Sequence, residues 1–125
     1  MDKVRVGIIG SGFVAGIHAL SLAHVPNAEL VAVASKTQAS ADEFASARGI
    51  PSAYGDYRQL LERADIDAVT IAVPNYLHEE MVTAAARAGK HIMCEKPFAR
   101  TIQEAERMLA VIRETGVKLV YGEML

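Results

Sequence analysis

The feature that most constrains the fold is the stretch of residues 4–16. An apolar run of six residues breaks into the sequence Gly10-Ser11-Gly12, and a helical pattern follows at once. The apolar positions on one face of that pattern are Phe13, Ile17 and Leu20. An apolar run, a glycine turn and a helical period predict a strand that turns sharply into a helix.

The two glycines of this turn indicate a phosphate ligand. Gly10 permits the tight turn, and Gly12 has no side chain, so a pyrophosphate can lie against the backbone. Free N–H groups and the helix dipole favour negative charge at the helix N-terminus. The third position, Ala15, is small enough for close packing of helix and strand. A turn without a ligand is the alternative interpretation of a short glycine pattern, but the flanking strand and helix favour a dinucleotide.

Composition bounds the class of protein. The chain has 125 residues, of which 51% are hydrophobic and 22% charged, as expected for one globular domain. A net charge of −2 gives no electrostatic basis for binding nucleic acid or an anionic membrane. The single cysteine excludes an internal disulfide and any multi-cysteine metal site, and we expect no bound metal. No signal peptide or membrane-spanning segment is apparent, so we expect a cytoplasmic protein.

Apolar runs and helical patterns alternate along the whole chain. We predict an α/β fold, a Rossmann-type doubly wound parallel sheet of about six strands with helices on both faces. The whole chain, residues 1–125, is assigned to one dinucleotide-binding domain. The predicted strands are residues 4–9, 29–34, 52–54, 68–73, 91–94 and 117–121.

Polar signals mark the helix ends between these strands. Thr37 and Asp56 are predicted to cap helices, and Thr101 with Glu104 is predicted to form a capping box. The last helix is expected to turn four apolar residues inward: Ala105, Met108, Leu109 and Ile112. Ligands of such sheets bind beyond the carboxyl ends of the strands, so the loops there should carry the chemistry.

The loop after the second strand discriminates between cofactors. NAD-binding proteins usually place a carboxylate there for the ribose hydroxyls, whereas this chain has Ser35-Lys36-Thr37. Two hydroxyls and a cation suit a 2′-phosphate, so the residues favour NADP over NAD. A solvated lysine beside a helix-capping threonine is the alternative interpretation. Phe13 and Val14, directly after the glycine loop, are also predicted cofactor contacts.

Two further strand ends carry candidate residues. After the fourth strand, Pro74 fixes a turn, Asn75 either caps a helix or binds a ligand, and His78 is either packed or functional. After the fifth strand, Glu95 and Lys96 are either cleft residues or a surface ion pair. Cys94, just before them, is expected to be a buried apolar residue rather than a nucleophile.

Three segments together resemble the Gfo/Idh/MocA family of nicotinamide-dependent oxidoreductases. They are GIIGSGFVA at residues 7–15, AVPNYLH at 72–78 and AGKHIMCEKPFA at 88–99. The resemblance extends from residue 4 to about residue 121. The Glu-Lys-Pro segment is the specific part of the match.

The resemblance implies a function and a set of roles. It implies hydride transfer between a nicotinamide and a sugar, polyol or related hydroxyl or carbonyl substrate. Lys96 would be the catalytic residue near the nicotinamide and the substrate hydroxyl, and Glu95, Pro74 and Asn75 would lie beside the cofactor. The family's second domain, its substrate site and its acid/base residue would be absent from this chain. The full-length protein is expected to be a homo-oligomer, and the chain alone is expected to turn over little substrate.

Other functions are compatible with the same residues. A non-catalytic NAD(P)-binding sensor could use this fold, although Lys96 favours an enzyme. A nicotinamide-dependent glycoside hydrolase of the same family is a further alternative, and cofactor that survives dialysis would favour it. A methyltransferase is disfavoured because an acid usually follows the second strand of such enzymes, where this chain has Ser35.

Overall fold

Strands and helices alternate in the computed structural model, which describes residues 3–95 and 98–122. All neighbouring strands in this part pair in parallel, and they form a sheet in the order β3-β2-β1-β4-β5-β6. The strands are β1 Val4–Ile9, β2 Ala28–Ala34, β3 Ser52–Tyr54, β4 Ala68–Ile71, β5 His91–Glu95 and β6 Leu119–Gly122. The predicted Rossmann-type sheet is confirmed.

The helices connect the strands as crossovers. They are α1 Phe13–Leu22, α2 Gln38–Arg48, α3 Tyr57–Leu61, α4 His78–Arg87 and α5 Ile102–Thr115, with a 3-10 turn at Asn75–Leu77 before α4. No helix within the described ranges is both long enough and apolar enough to cross a membrane.

Adjacent residues of β1 show why the sheet is covered on both faces. The side chain of Ile8 packs with α1 and α2, whereas that of Ile9 packs with α3, α4 and α5. Both are at most 2% exposed. Successive side chains of a strand point to opposite faces, so an unbroken apolar run requires helices on both sides.

Several strand ends differ from the prediction. β4 ends at Ile71 rather than at residue 73, although the Ala72 N–H still donates to the Ile9 carbonyl at 2.8 Å. Beyond that bond β1 has turned away at Gly10, so the next residues of the chain have no partner on β1. β6 begins at Leu119 rather than at residue 117.

The predicted helix caps are confirmed, whereas the residues predicted to be buried on the helices agree less well. Thr37, Asp56 and Thr101 each accept a backbone hydrogen bond at a helix N-terminus, as predicted. The buried face of α5 consists of Glu104, Met108 and Val111, and Leu109 is 37% exposed. In α1, Ala15 and Ala19 are buried, while Phe13 is 83% and Leu20 65% exposed. Small side chains face the sheet in α1 because the helix packs closely against it.

The predicted capping box of α5 is only half formed. Thr101 accepts a hydrogen bond from the Glu104 N–H at 3.0 Å, but the Glu104 carboxylate turns to Arg100 instead of Thr101. The Arg100 backbone N–H donates to it at 2.8 Å, and its guanidinium donates at 2.5 to 3.2 Å. These bonds favour the ionised form and lower the pKa of Glu104 from 4.5 to about 2.

This pKa shift predicts a pH-dependent contribution to stability. The folded-state pKa of Glu104 lies below its unfolded value, so its stabilisation is present above about pH 4.5 and is lost as the pH falls towards 2. We expect Glu104→Gln to lower the free energy of unfolding at pH 7 and the difference from the unmutated chain to shrink at pH 3. Urea unfolding at several pH values measures this. Glu106→Gln, on the exposed side of α5, is the control, and a difference for Glu104→Gln that stays constant with pH would contradict the assignment.

Candidate functional site

A cleft lies at the carboxyl edge of the sheet, where the strand order reverses between β1 and β4. Its volume is about 920 Å³, within the range of about 300–1,000 Å³ typical of small-molecule and cofactor sites. The ends of β1, β2, β4 and β5 contribute Ile9, Ala34, Ala72 and Glu95 to its lining. This is the crevice in which open parallel sheets bind ligands.

The glycine loop forms the floor of the cleft. Its two glycines differ in whether the backbone leaves room for a side chain. Gly10 has φ +120°, and a Cβ there would lie 2.1 Å from the Ala72 carbonyl oxygen. Gly12, the N-cap residue of α1, has an ordinary extended backbone, and a Cβ there would meet nothing within 4 Å. Gly10 is therefore required by the fold, whereas Gly12 leaves open space at a helix N-terminus.

Four hydroxyls form a chain that joins the glycine loop to the loop after β2. Ser11 Oγ lies 2.5 Å from Ser35 Oγ, which lies 2.8 Å from Ser40 Oγ. Ser40 Oγ in turn lies 2.8 Å from Thr37 Oγ1. Ser11 and Ser35 line the cleft, and Thr37 and Ser40 stand behind them at the start of α2. Hydroxyls both donate and accept, so the chain can present donors to an anion at Ser35.

Two cations lie on this side of the cleft. Lys36, which is exposed, and Arg58 both line it. Arg58 Nη1 is 3.5 Å from Asp56 Oδ1, while Asp56 also caps α3 through the Arg58 backbone N–H at 2.9 Å. Arg58 could not be predicted as a site residue from the sequence. It lies at the start of α3, which reaches the loop after β2 only because β3 pairs with β2.

The loop after β4 contributes one wall. Pro74 lines the cleft together with Val73 and Tyr76. Asn75 is half-buried as the first residue of the 3-10 turn and is not among the described lining residues. His78 is 1% exposed and lies behind this wall. Its Nε2 is 3.0 Å from the Val73 carbonyl oxygen, and its Nδ1 is 3.2 Å from that of Phe98.

Glu95 closes the cleft at the end of β5. Its side chain is 13% exposed, and its carboxylate contacts Nε2 of His18, which comes from α1. Lys96, the predicted catalytic residue, lies outside the described residues. The alternative interpretation, an ion pair of Glu95 with Lys96, is therefore untested, whereas the contact of Glu95 with His18 was not anticipated. A separation of 77 residues hides that contact from any local pattern.

Cys94 is fully buried beneath this end of the cleft, as expected. Burial, together with the neighbouring Glu95 charge, raises the pKa of its thiol to about 12. A thiol that stays protonated at neutral pH is a poor nucleophile. Cys94 is therefore not a candidate nucleophile of this cleft.

The described lining suits a dinucleotide. Open space over Gly12 at a helix N-terminus matches a pyrophosphate, and Lys36 with the Ser35 hydroxyl faces the half formed by β1, β2 and β3. No carboxylate follows β2, where one would repel a 2′-phosphate. Phe13 and Val14, the predicted cofactor contacts, line the cleft beside the glycine loop.

Comparison with known proteins gives the same family as the sequence motifs. The model of the Gfo/Idh/MocA oxidoreductase family, NAD-binding Rossmann fold, matches residues 4–123. A levoglucosan dehydrogenase from Pseudarthrobacter phenanthrenivorans is 37% identical over 94% of this chain and 32% of its own length. A scyllo-inositol 2-dehydrogenase (NADP⁺) from Bacillus subtilis is 35% identical over 94% of this chain and 36% of its own length.

A solved structure extends the likeness to the fold. The crystal structure of a 3-ketoreductase from Actinomadura kijaniata, in complex with TDP-benzene and NADP, superposes with a TM-score of 0.88. It is 39% identical, and the match covers 94% of this chain and 37% of that one. The chain thus spans about a third of the length of these relatives. It belongs to the Gfo/Idh/MocA family of oxidoreductases and comprises their NAD-binding Rossmann domain.

Proposed function

We propose that the chain is the NADP(H)-binding domain of an oxidoreductase that acts on a sugar, a polyol or a related hydroxyl or carbonyl compound. The observation that carries the cofactor preference is the loop after β2, where Ser35 and Lys36 face the cleft and no carboxylate is present. The substrate class rests on the relatives, whose names include levoglucosan and scyllo-inositol, and on a solved relative that is a 3-ketoreductase.

Different residues of the chain would bind different parts of the cofactor. Gly12 and the N-terminus of α1 would hold the pyrophosphate, with Phe13 and Val14 beside it. Ser35, backed by its hydroxyl chain, and Lys36 would hold the 2′-phosphate, while Arg58, paired with the lining carboxylate of Asp56, lies on the same wall. The half of the cleft formed by β4 and β5, with Pro74 and Glu95, would face the nicotinamide.

The protein's contribution to the reaction is positioning and charge stabilisation. The nicotinamide, when bound, supplies hydride-transfer chemistry. Lys96 follows Glu95 directly in the sequence, and we assign its ammonium the role of orienting the substrate hydroxyl and stabilising negative charge that develops on its oxygen. We assign the acid/base residue to the part of the relatives that this chain does not cover.

Cofactor preference tests the proposal most simply. The unmutated chain should bind NADPH more tightly than NADH, because Lys36 gives the 2′-phosphate a charge-assisted contact. Lys36→Asp should weaken NADPH binding by about 10- to 100-fold and reverse the order. Isothermal titration calorimetry measures both affinities. Lys118→Asp, an equal charge change at an exposed position away from the cleft, is the matched control. Equal affinities for the two cofactors in the unmutated chain would rule out the assignment.

The glycine loop gives a second prediction, which separates binding from folding. Gly12→Val should leave the melting temperature nearly unchanged, because its Cβ meets nothing within 4 Å. It should weaken NADPH binding at least tenfold, roughly, because a branched side chain occupies the pyrophosphate position. Gly10→Ala should instead destabilise the fold by more than about 1 kcal/mol. Native affinity in Gly12→Val would show that the pyrophosphate binds elsewhere.

The role of Lys96 predicts a kinetic effect without loss of binding. In a catalytically competent protein that contains this chain, Lys96→Met should lower kcat by about 10²–10³-fold, as loss of one electrostatic donor typically does. Cofactor affinity should change little, because the interaction is made in the transition state. Steady-state kinetics and cofactor titration measure the two effects separately. Native turnover would leave Lys96 as a surface residue, and joint loss of binding and turnover would make it a cofactor ligand.

A further inference from the structure

The point where the chain leaves β5 is held by a histidine from α1. Glu95 is the last residue of β5, and its carboxylate, which lines the cleft, contacts His18 Nε2. The two side chains are 13% and 14% exposed, so the contact is largely shielded from water. It fixes one carboxylate oxygen and therefore limits the rotation of the whole group. No local sequence pattern indicates a role for His18.

A second histidine holds Phe98, the first described residue after positions 96 and 97. His78, in the first turn of α4, is 1% exposed. Its two ring nitrogens lie 3.0 Å from the Val73 carbonyl oxygen and 3.2 Å from the Phe98 carbonyl oxygen. A neutral imidazole donates through one nitrogen and a doubly protonated ring through both. A neutral ring therefore donates to only one of these two carbonyls, and a doubly protonated ring to both, while in either form the ring lies between the wall after β4 and the chain that follows β5.

The two histidines act from opposite faces of the sheet. α1 packs its buried residues with Ile8, whereas α4 packs its own with Ile9 on the other face. His18 and His78 therefore reach the end of β5 from two separate helical layers. The carboxyl ends of β4 and β5 form the half of the cleft opposite to Ser35 and Lys36. In the strand order of this sheet, a dinucleotide that crosses the switch point places its nicotinamide on that half.

We propose that His18 and His78 are positioning residues that fix the nicotinamide half of the cleft. His18 acts through the Glu95 carboxylate, and His78 acts through the Val73 and Phe98 carbonyls. Neither histidine is among the described residues that line the cleft, so neither needs to touch the cofactor. The inference rests on the proposed binding of NADP(H). It adds that the two halves of the cofactor depend on different residues.

Two ligands separate this role from a general effect on folding. NADPH engages both halves of the cleft, whereas adenosine 2′,5′-bisphosphate carries only the adenosine half and its 2′-phosphate. His18→Leu and His78→Leu remove the ring nitrogens. Each should weaken NADPH binding about tenfold, since each leaves a group of the site without its hydrogen-bond partner. Binding of adenosine 2′,5′-bisphosphate should stay within about twofold of the unmutated chain, measured by titration calorimetry.

Conservative variants and a matched control complete the test. His18→Gln and His78→Gln retain one amide donor and should restore part of the NADPH affinity, and they remain informative if a leucine variant fails to fold. In the Glu95→Gln background, His18→Leu should cause little further loss, because His18 acts through that carboxylate. Val82→Ala removes fully buried volume from α4 without touching the cleft and should weaken neither ligand.

Three results would overturn the inference. Equal weakening of both ligands in the histidine variants would make the histidines general stabilisers of the fold. Unchanged NADPH affinity in both leucine variants would show that the contacts do not position the site. An unmutated chain that binds neither ligand would refute the proposed function itself, and the inference would fall with it.

Discussion

The close approach of two backbones at Gly10 is the constraint on which the site depends. β1 ends there with a φ of +120°, and any side chain would collide with the Ala72 carbonyl oxygen, 2.1 Å from a Cβ position. β1 turns at this point, and the chain continues to β2 on one side of it, whereas β4 pairs on its other side. A crevice therefore opens where the strand order reverses. The helix that follows then directs its N-terminus into the crevice. The anion site that we propose at Gly12 is thus a consequence of the turn at Gly10.

The cleft built on this turn has two chemically different halves. Beside β2 and β3 lie hydroxyls and cations, Ser35, Lys36 and Arg58, which suit a phosphate. Beside β4 and β5 lie Pro74 and the carboxylate of Glu95, with the half-buried His18 and the buried His78 behind them. In the proposed function the first half recognises the charge of a phosphate, which exposed side chains can do. The second half is held by contacts that are largely shielded from water, as accurate placement of a reacting ring requires.

Local signals in the sequence were sufficient for the fold and for two residues that line the cleft, Ser35 and Lys36. Apolar runs located the strands, and Thr37, Asp56 and Thr101 located helix starts because capping depends on residues three or fewer positions away. Ser35 and Lys36 were identified because they directly follow a predicted strand. The inward face of α5 was wrong at Leu109, since the orientation of a helix is decided by the strands beneath it.

Contacts between distant residues could not be predicted in the same way. His18 and Glu95 are 77 residues apart, and His78 and Phe98 are 20 apart. Lys90 is similar: its buried ammonium donates to the Arg63 and Ile66 carbonyls at 2.5 and 2.8 Å, although the residue would ordinarily be assigned to the surface. Each contact depends on the strand order, which no single stretch of sequence encodes.

A crystal structure of the chain with bound NADPH tests the central claim most directly. We predict the pyrophosphate over Gly12 at the N-terminus of α1, the 2′-phosphate within hydrogen-bond distance of Ser35 and Lys36, and the nicotinamide on the side of Glu95. A cofactor bound in the opposite orientation, or a 2′-phosphate in solvent away from Lys36, would contradict the account.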